Sequence, residues 1–295
     1  MRRTTVKSIS RRGVLAGLAA VPVLASTRHA IAGSEPTFPE LEQRYGARLG
    51  VWARNAVTGR TVHHRPHERF AMTSTFKPYA AAALLREHGL AGDYFRHRVF
   101  FRREDLVVHS PICEQAVDTG MTVLELCDAA ITYSDNTAGN LLLTELGGPA
   151  AIAPFARTLG DPATRLDRWE PELNEAERGD PRDTTTPAAI GTGYGRLVLA
   201  DGLPRPERDR LTAWLLANTT GDTSIRAGVP PTWVTGDKTG GGSYATNNDV
   251  AVTWTDLDQP IIIAVLSDKP IRDAEPDDAL IADAAKRVAE RLTDA

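Results

Sequence analysis

Strand and helix patterns are segregated along this chain of 295 residues, and that segregation limits the possible folds more than any other feature. Strand-like patterns bounded by turn residues occur at 48–54, 60–64, 233–238, 249–255 and 260–267, and the first two are predicted to form a hairpin. Helical spacing occurs at 39–45, 80–85, 123–131, 137–146, 187–199, 204–216 and 279–292. The pattern therefore predicts an α+β fold, in which a mainly antiparallel sheet is flanked by terminal helices and an all-helical lobe is inserted into it.

The same pattern divides the chain into parts with different expected roles. Residues 33–72 and 217–295 are predicted to form the sheet lobe, and residues 73–216 the helical lobe. A polar, proline-containing stretch at about 165–183 is long for a connection in a compact protein, and loops of that kind are often functional. Clefts between lobes commonly hold small molecules, so a site is expected at the junction.

Residues 1–32 have the pattern of an export signal. Five Lys or Arg residues and no acid precede an apolar stretch at 13–25, which is too short to span a bilayer. A small-x-small pattern at 30–32 then predicts cleavage before Gly33. The pair Arg11–Arg12, just before the apolar stretch, is typical of a twin-arginine signal; the alternative is an ordinary secretory signal with an accidental pair. The protein is therefore expected to be periplasmic or secreted.

Charge and cysteine content restrict the partners. The whole chain has a net charge of −4, and removing residues 1–32 takes away six positive charges, which leaves −10. This acidic balance excludes nucleic acid and lasting association with an anionic membrane as expected partners, and a monomer is the default. Cys113 and Cys127 are interpreted as buried free thiols, since nothing in the sequence brings them within the roughly 7 Å between Cα atoms that a disulfide needs.

Ser74 and Lys77 belong to the first of four short strings that carry chemistry, Ser-Thr-Phe-Lys. Ser74 precedes a helix-forming run, and residues three apart share a helix face, so the lysine amine is expected beside the serine hydroxyl. A lysine in that place can accept the hydroxyl proton, and free N–H groups at a helix start can stabilise developing negative charge. Alone, the string would predict only a helix cap with a solvated lysine.

Ser134, Asp135 and Asn136 form the second string, on a predicted loop between two helical runs. The Ser134 hydroxyl can relay a proton, and the Asn136 amide can hold a carbonyl group because it both donates and accepts. Asp135 is expected to brace the loop through backbone hydrogen bonds. Alone, the string would predict a turn or a helix cap.

Glu170 lies in the third string, which runs from Arg168 to Asn174 in the long polar loop. Its carboxylate is a candidate general base for a water molecule, with Asn174 as a second anchor. The fourth string, Lys238-Thr239-Gly240-Gly241, ends a predicted strand. Its lysine and threonine can bind a carboxylate, and its glycines let a ligand approach the backbone closely.

In this order, the four strings resemble those of the class A serine β-lactamases, and the resemblance covers residues 38–295. It implies the serine β-lactamase/transpeptidase-like form of the fold, and hydrolysis of the β-lactam ring through a serine acyl-enzyme, which gives antibiotic resistance. The catalytic residues it implies are Ser74, Lys77, Ser134 and Glu170. The substrate-binding residues it implies are Asn136, Asn174, Lys238, Thr239, Gly240 and Gly241, with an oxyanion hole formed by the N–H groups of Ser74 and Gly241.

The resemblance also implies contacts around the site and one departure from the family. Arg168 and Asp183 match an ion pair that pins the catalytic loop. The arginine that usually binds the substrate carboxylate is not found. Arg226 is close to one of its usual positions but is displaced from it by two residues. We therefore expect that carboxylate to be bound by Lys238, Thr239 and Ser134. At the rim of the site, His109 stands where the family usually has an aromatic residue.

Two alternatives and several questions stay open at this point. A penicillin-binding D,D-peptidase-like acyltransferase would share the first, second and fourth strings but normally lacks the loop of Glu170. An inactive binding protein on the same fold would not need an intact Ser74, Lys77 and Glu170. The base for acylation is either Lys77 or Glu170 acting through water, and the preferred β-lactam is undetermined. A small-molecule β-lactam is the expected partner, and no cofactor is implied. No metal is implied either, since the histidines at 63, 64 and 67 are interpreted as surface residues.

Overall fold

A computed structural model describes residues 36–293. Within those residues the strands are β1 Arg48–Asn55, β2 Thr61–His64, β3 Phe70–Ala71, β4 Arg98–Val99, β5 Met121–Thr122, β6 Thr184–Thr185, β7 Val234–Gly242, β8 Thr246–Trp254 and β9 Pro260–Asp268. The helices are α1 Phe38–Tyr45, α2 Lys77–His88, α3 Val123–Thr132, α4 Asn136–Glu145, α5 Ile152–Thr158, α6 Pro187–Leu199, α7 Arg205–Leu216, α8 Ile225–Gly228 and α9 Asp278–Thr293.

The main sheet has five antiparallel strands in the order β2-β1-β9-β8-β7. The predicted hairpin of β1 and β2 is present, with Trp52 opposite His63. Strand β7 is longer than its pattern indicated, because its glycine-rich end pairs with β8 as far as Gly242 opposite Thr246. The predicted α+β fold is therefore confirmed. Strand β7 extends past Lys238 into the glycines at 240–242.

Short elements escaped the sequence patterns. Helices α5 and α8 have seven and four residues, and each of the strands β3 to β6 has two, which is too short to show a periodicity. The pair β3–β6 matters for the site, since Ala71 lies opposite Thr184 and joins the residues before Ser74 to the end of the long loop.

Apolar side chains cover both faces of the main sheet. On one face, Val51, Ile263 and Val265 pack with residues of α1, α8 and α9. On the other face, Val250, Ile262 and Leu266 share a continuous core with α6 and with the helices of the middle of the chain. Burial of this kind contributes roughly 25 cal/mol per Å² of apolar surface, so the sheet holds α6 and α2 firmly behind the site.

Side-chain caps determine where the helices around the site begin. Thr122 accepts a hydrogen bond from the Glu125 N–H before α3, and the Glu125 carboxylate accepts one from the Thr122 N–H in return. Asp135 caps α4 by accepting from the Ala138 N–H. Such caps contribute about 1 kcal/mol each, because they satisfy donors that have no partner inside the helix.

Three further predictions concern the export signal, membrane association and the two cysteines. The export signal predicted for residues 1–32 lies outside the range 36–293. In that range, none of the helices combines the length and the apolar character needed to cross a membrane. Cys113 and Cys127 are both free and buried, and burial raises the pKa of each thiol above its ordinary value.

Candidate active site

Ser74 lies in a short 3₁₀ turn, Thr73–Phe76, that leads directly into α2 at Lys77. The two residues were expected on one helix face; instead the serine is in the tighter turn and the lysine begins the α-helix. Both are buried, with 7% of Ser74 and none of Lys77 exposed. Pro78 is tolerated because it falls in the first turn of α2, where its missing N–H has no partner to lose. The turn is held from behind by the Tyr194 hydroxyl, which donates to the Thr75 carbonyl at 2.8 Å.

Lys77 is surrounded by oxygen atoms of three residues, which lie on two segments. Its Nζ donates to the Ser134 carbonyl at 2.8 Å and to Asn136 Oδ1 at 2.7 Å. It also lies 3.2 Å from Glu170 Oε1. Burial lowers the pKa of Lys77 below its ordinary value, and the neighbouring Glu170 carboxylate opposes that shift. The amine is thus placed where it can lose and regain a proton.

Glu170 connects the serine, the lysine and the long loop. The Ser74 hydroxyl donates to Glu170 Oε1 at 3.2 Å, and the Asn174 amide donates to Oε2. The Glu170 side chain is buried, so the carboxylate is compensated by the Lys77 ammonium and by these hydrogen bonds. One carboxylate therefore contacts both members of the first string and the second anchor that the sequence predicted.

Asn140 holds the backbone of Glu170 and was not found from the sequence. Its Oδ1 accepts from the Glu170 N–H at 2.9 Å, and its Nδ2 donates to the Glu170 carbonyl at 2.8 Å. A signal was available, because Asn140 is one helical turn beyond Asn136 on α4, and residues four apart share a face. The two asparagines on that face have different partners: Asn136 contacts Lys77, and Asn140 contacts Glu170.

The ion pair implied for the catalytic loop is present. Arg168 Nε lies 2.6 Å from Asp183 Oδ2, and Asp183 Oδ1 accepts from the N–H groups of Asp167 and Arg168 at 2.7 and 2.9 Å. The Asp183 carbonyl in turn accepts from the Met72 N–H at 2.9 Å. The two ends of the loop are thereby joined to each other and to the residues before Ser74.

The Ser134 segment is braced as the sequence predicted. Ser134 has a φ of 57°, which is rare for a residue with a Cβ. Asp135 caps α4 and also accepts from the backbone N–H groups of Ile112 and Cys113, both at 3.0 Å. Asn136 donates from its backbone to the carbonyl of His109, an exposed residue, at 2.9 Å. The loop is thus positioned by contacts on both sides, and the Ser134 carbonyl points to Lys77.

Lys238 and Thr239 lie on β7 where that strand approaches Ser74. Lys238 is fully buried, and its Nζ donates to the Thr239 carbonyl at 3.0 Å. Burial lowers the pKa of Lys238 to about 7, and the positive charge of Lys77 adds to the shift. The Thr239 hydroxyl forms a hydrogen bond with the hydroxyl of Thr220. This edge of the site offers a buried amine and a hydroxyl to an anion.

At Gly240, strand β7 passes close to the backbone of Ser74. A Cβ there would lie 3.1 Å from the Ser74 nitrogen and 2.2 Å from Thr73 Oγ1, so only glycine fits. The next residue is Gly241, whose N–H was expected to form an oxyanion hole with that of Ser74. The structure brings their backbones into the same corner of the site, while the role itself stays a prediction.

Arg226 is engaged on the other side of β7. Its Nη2 lies 2.6 Å from Asp237 Oδ1, and its Nη1 donates to the Asn218 carbonyl at 2.9 Å and to Asp222 Oδ1 at 3.0 Å. Asp237 is fully buried, so this guanidinium neutralises a charge inside the protein.

Three histidines, at 63, 64 and 67, lie in or near the first hairpin. Between residues 36 and 293, no group of His, Cys, Asp and Glu side chains is arranged to hold a metal ion. His64 lies 3.3 Å from Glu42 and packs against the ring of Phe38, while His63 and His67 are exposed.

Comparisons with known proteins identify the family of this chain. A profile of the "Beta-lactamase enzyme family" matches residues 35–292. The chain is 57% identical to Beta-lactamase FAR-1 of Nocardia farcinica over 86% of this chain and 82% of that protein. It is 56% identical to Beta-lactamase AST-1 of Nocardia asteroides, over 94% and 89% of the two chains. The crystal structure of the β-lactamase from Streptomyces albus G superposes with a TM-score of 0.84 at 50% identity, covering 86% and 97%. The chain therefore belongs to the class A serine β-lactamase family.

Proposed function

We propose that this β-lactamase hydrolyses its substrates in two chemical steps, with Ser74 as the nucleophile and Glu170 as the base of the second step. Hydrolysis of the β-lactam amide bond, and with it antibiotic resistance, is the activity of the family to which the chain belongs. One observation carries the proposal: a single buried carboxylate, that of Glu170, contacts both the Ser74 hydroxyl and the Lys77 ammonium.

In the first step Ser74 Oγ attacks the lactam carbonyl carbon and the C–N bond of the ring breaks. Lys77 and Glu170 are both in reach of the hydroxyl proton, directly or through their mutual contact at 3.2 Å. The Ser134 hydroxyl passes a proton to the leaving nitrogen. The N–H groups of Ser74 and Gly241 stabilise the oxyanion, which is usually the largest electrostatic contribution in acyl transfer.

In the second step a water molecule hydrolyses the ester on Ser74, and Glu170 removes its proton. Asn174 and Asn140 hold that carboxylate and its backbone in place, so little reorganisation is needed at the moment of reaction. Asn136 holds an amide carbonyl of the substrate, and Lys238, Thr239 and Ser134 bind its carboxylate. Gly240 and Gly241 let the substrate approach the strand closely. No cofactor takes part in these steps.

A D,D-peptidase-like acyltransferase is the alternative, and the contact between Glu170 and Ser74 weighs against it. An acyltransferase must keep its acyl-enzyme away from water, whereas a carboxylate beside the ester oxygen promotes hydrolysis. Turnover of a chromogenic cephalosporin by the purified enzyme tests the choice. Rapid hydrolysis that disappears in Ser74→Ala supports the proposal, and a stable adduct on wild-type Ser74 without turnover would favour the acyltransferase.

The enzyme is further proposed to act outside the cytoplasm as a monomer, without lasting membrane association. Support comes from the signal-like sequence of residues 1–32 and from the acidic mature chain. Export by the twin-arginine route is tested by Arg11→Lys together with Arg12→Lys, which keeps the charge and removes the recognised pair. Activity should then remain in the cytoplasm. Unchanged export of the double variant would indicate the general secretory route, and sedimentation of the exported enzyme measures its oligomeric state.

A further inference from the structure

The turn between β7 and β8 has a backbone that its residues do not favour. Tyr244 and Ala245 have φ values of 59° and 48°, and the Thr246 N–H donates to the Ser243 carbonyl at 3.1 Å to close the turn. Positive φ at both central positions is typical of type I′ turns, which prefer Gly, Asn or Asp there. A tyrosine held in this region is costly and persists only where surrounding contacts over-determine it. Backbone strain of this kind is concentrated at functional sites.

Three contacts account for the conformation of Tyr244. Its N–H donates to the Arg272 carbonyl and its own carbonyl accepts from the Lys269 N–H, both at 2.7 Å. Its hydroxyl donates to Glu177 Oε2 at 2.8 Å. The Arg272 guanidinium binds the other oxygen of the same carboxylate and lies 5.8 Å from the centre of the tyrosine ring. Glu177, Tyr244 and Arg272 thus join the catalytic loop, the β7–β8 turn and the segment after β9.

The same region of the loop touches the site. The Ser243 N–H donates to the Asn174 carbonyl at 3.0 Å, three residues before Glu177. A Cβ on Gly242 would lie 2.6 Å from that carbonyl oxygen, so the loop rests directly on the strand. The Asn174 amide then donates to Glu170, while its Oδ1 is buried and accepts no hydrogen bond from the described residues. The position of the loop backbone therefore sets where the Asn174 amide lies, and that amide is one of the contacts that hold the Glu170 carboxylate.

We propose that Glu177, Tyr244 and Arg272 form a latch that positions Asn174, and through it Glu170, for deacylation. The inference rests on the proposed function, and these three are positioning residues that do not touch the substrate. The latch is separable from folding of the loop, because Arg168–Asp183 and Arg178–Asp268 hold the loop at other points. Loss of the latch lets Asn174 drift, which slows the step that needs an aligned base and leaves attack by Ser74 in place.

Tyr244→Phe is the sharpest test, because it removes one hydroxyl and keeps the ring. We expect the deacylation rate constant to fall about fivefold to tenfold, with acylation changed less than twofold, measured by rapid-quench intact mass spectrometry. The steady-state KM should fall along with kcat, since the acyl-enzyme accumulates. In a Glu177→Ala background, Tyr244→Phe should have no further effect, because the partner of the hydroxyl is already gone.

Two more variants separate positioning from stability. Tyr244→Gly relieves the backbone strain, so its melting temperature should not fall much, yet its deacylation should slow at least as far as in Tyr244→Phe. Asp180→Asn is the matched control: it breaks an ion pair with Arg182 inside the same loop, away from the turn, and should leave both rate constants unchanged.

The outcomes distinguish failure of the latch from failure of the proposed function. Deacylation at the wild-type rate in Tyr244→Phe and Glu177→Ala would overturn the latch. An equal fall of both steps that follows the melting temperature would overturn it too, since that is the behaviour of a merely structural contact. If the wild-type enzyme forms no acyl-enzyme on Ser74 at all, the proposed function fails, and the latch fails with it.

Discussion

Lys77 and Lys238 are both fully buried, and they lie on the two elements, α2 and β7, that meet at Ser74. Their surroundings differ. Lys77 has three oxygen partners from the protein, among them the Glu170 carboxylate. Lys238 donates to the carbonyl of the next residue, and no carboxylate within residues 36–293 forms an ion pair with it. Lys77 is compensated by an ion pair inside the protein, and Lys238 has no ion-pair partner among the described residues.

This difference separates the two tasks of the site. Burying an ammonium costs free energy unless a nearby anion and hydrogen bonds compensate it. On the α2 side, the Glu170 carboxylate of the protein compensates Lys77. This arrangement suits the proton exchange that we propose between Lys77, Ser74 and Glu170. On the β7 side the missing anion matches the carboxylate that a β-lactam carries. Variants on the first side should therefore change the chemical steps, and variants on the second side should change substrate capture.

The largest effect is expected on the chemical side, in Glu170→Gln. The amide keeps the shape and hydrogen bonding of the side chain but cannot take a proton from water at neutral pH. Deacylation should slow by roughly 10²–10⁴-fold, the usual contribution of a general base. Acylation should slow less, so an adduct of one substrate mass should accumulate on Ser74 and be visible by intact mass spectrometry. Turnover of a good penicillin at a near wild-type rate would contradict the assignment of Glu170 as the deacylating base.

Lys238→Ala probes the capture side. Removing one partner of a buried charged contact costs about 2–5 kcal/mol, so kcat/KM for a carboxylate-bearing substrate should fall roughly 30-fold or more. The loss should lie mainly in KM, and the deacylation rate of the trapped acyl-enzyme should be nearly unchanged. A fall in deacylation as deep as that of Glu170→Gln would show that the two lysines do not divide the work in this way.

The pH dependence of capture sharpens the comparison further. The pKa of Lys238 is lowered to about 7, mainly by burial and then by Lys77, against the opposing carboxylates of Asp237, Asp249 and Glu170. The cation that attracts the substrate is present below that pH and is lost as the pH rises through it. We expect kcat/KM for an anionic substrate to fall up to about tenfold per pH unit above pH 7.

Two controls identify the group behind this fall. The methyl ester of the same β-lactam carries no anion, so its kcat/KM should not show the fall above pH 7 that is due to Lys238. Any change with pH that is due to Lys77 or Glu170 should remain. In Lys238→Arg the side chain stays charged, so kcat/KM should no longer fall with pH in the range where the enzyme can be assayed. An identical fall of kcat/KM for the acid and the ester would assign the titration to a residue other than Lys238.

Arg226→Ala should have a smaller effect on catalysis and a clear effect on stability. Its guanidinium neutralises Asp237 behind β7, so KM should change less than tenfold. Leaving that buried carboxylate without its partner should lower the free energy of unfolding by about 3–5 kcal/mol, measured by denaturant titration. A tenfold or larger rise in KM with unchanged stability would instead make Arg226 the anchor of the substrate carboxylate.

The smallest effect is expected from reductant. Cys113 and Cys127 are buried free thiols, so a reducing agent should leave the melting temperature and both chemical steps unchanged. After denaturation, alkylation should label both thiols without prior reduction. A mass two daltons lower before reduction, together with a loss of about 2–5 kcal/mol on reduction, would show a structural disulfide.

Local patterns predicted much of this protein. The long strands and helices follow from side-chain periodicity, because a residue's neighbours on a face are set by spacing of two or of three to four positions. The strings around Ser74, Ser134, Glu170 and Lys238 hold the residues of the proposed mechanism close together in sequence, so the sequence alone could propose them. Asn140 was missed although its spacing from Asn136 on α4 placed it on the same face.

Other properties were decided only by the tertiary structure. Among the described residues, Lys238 has no ion-pair partner. The pairing of Arg226 with Asp237 and the contacts of Tyr244 with Glu177 and Arg272 join residues that are distant in sequence. No periodicity encodes such contacts, because they depend on how whole elements are placed by burial of the two apolar faces of the sheet. The sequence by itself thus determined which groups can react, and the packing of the sheet against α2 and the loop decided which charges are neutralised before a substrate arrives.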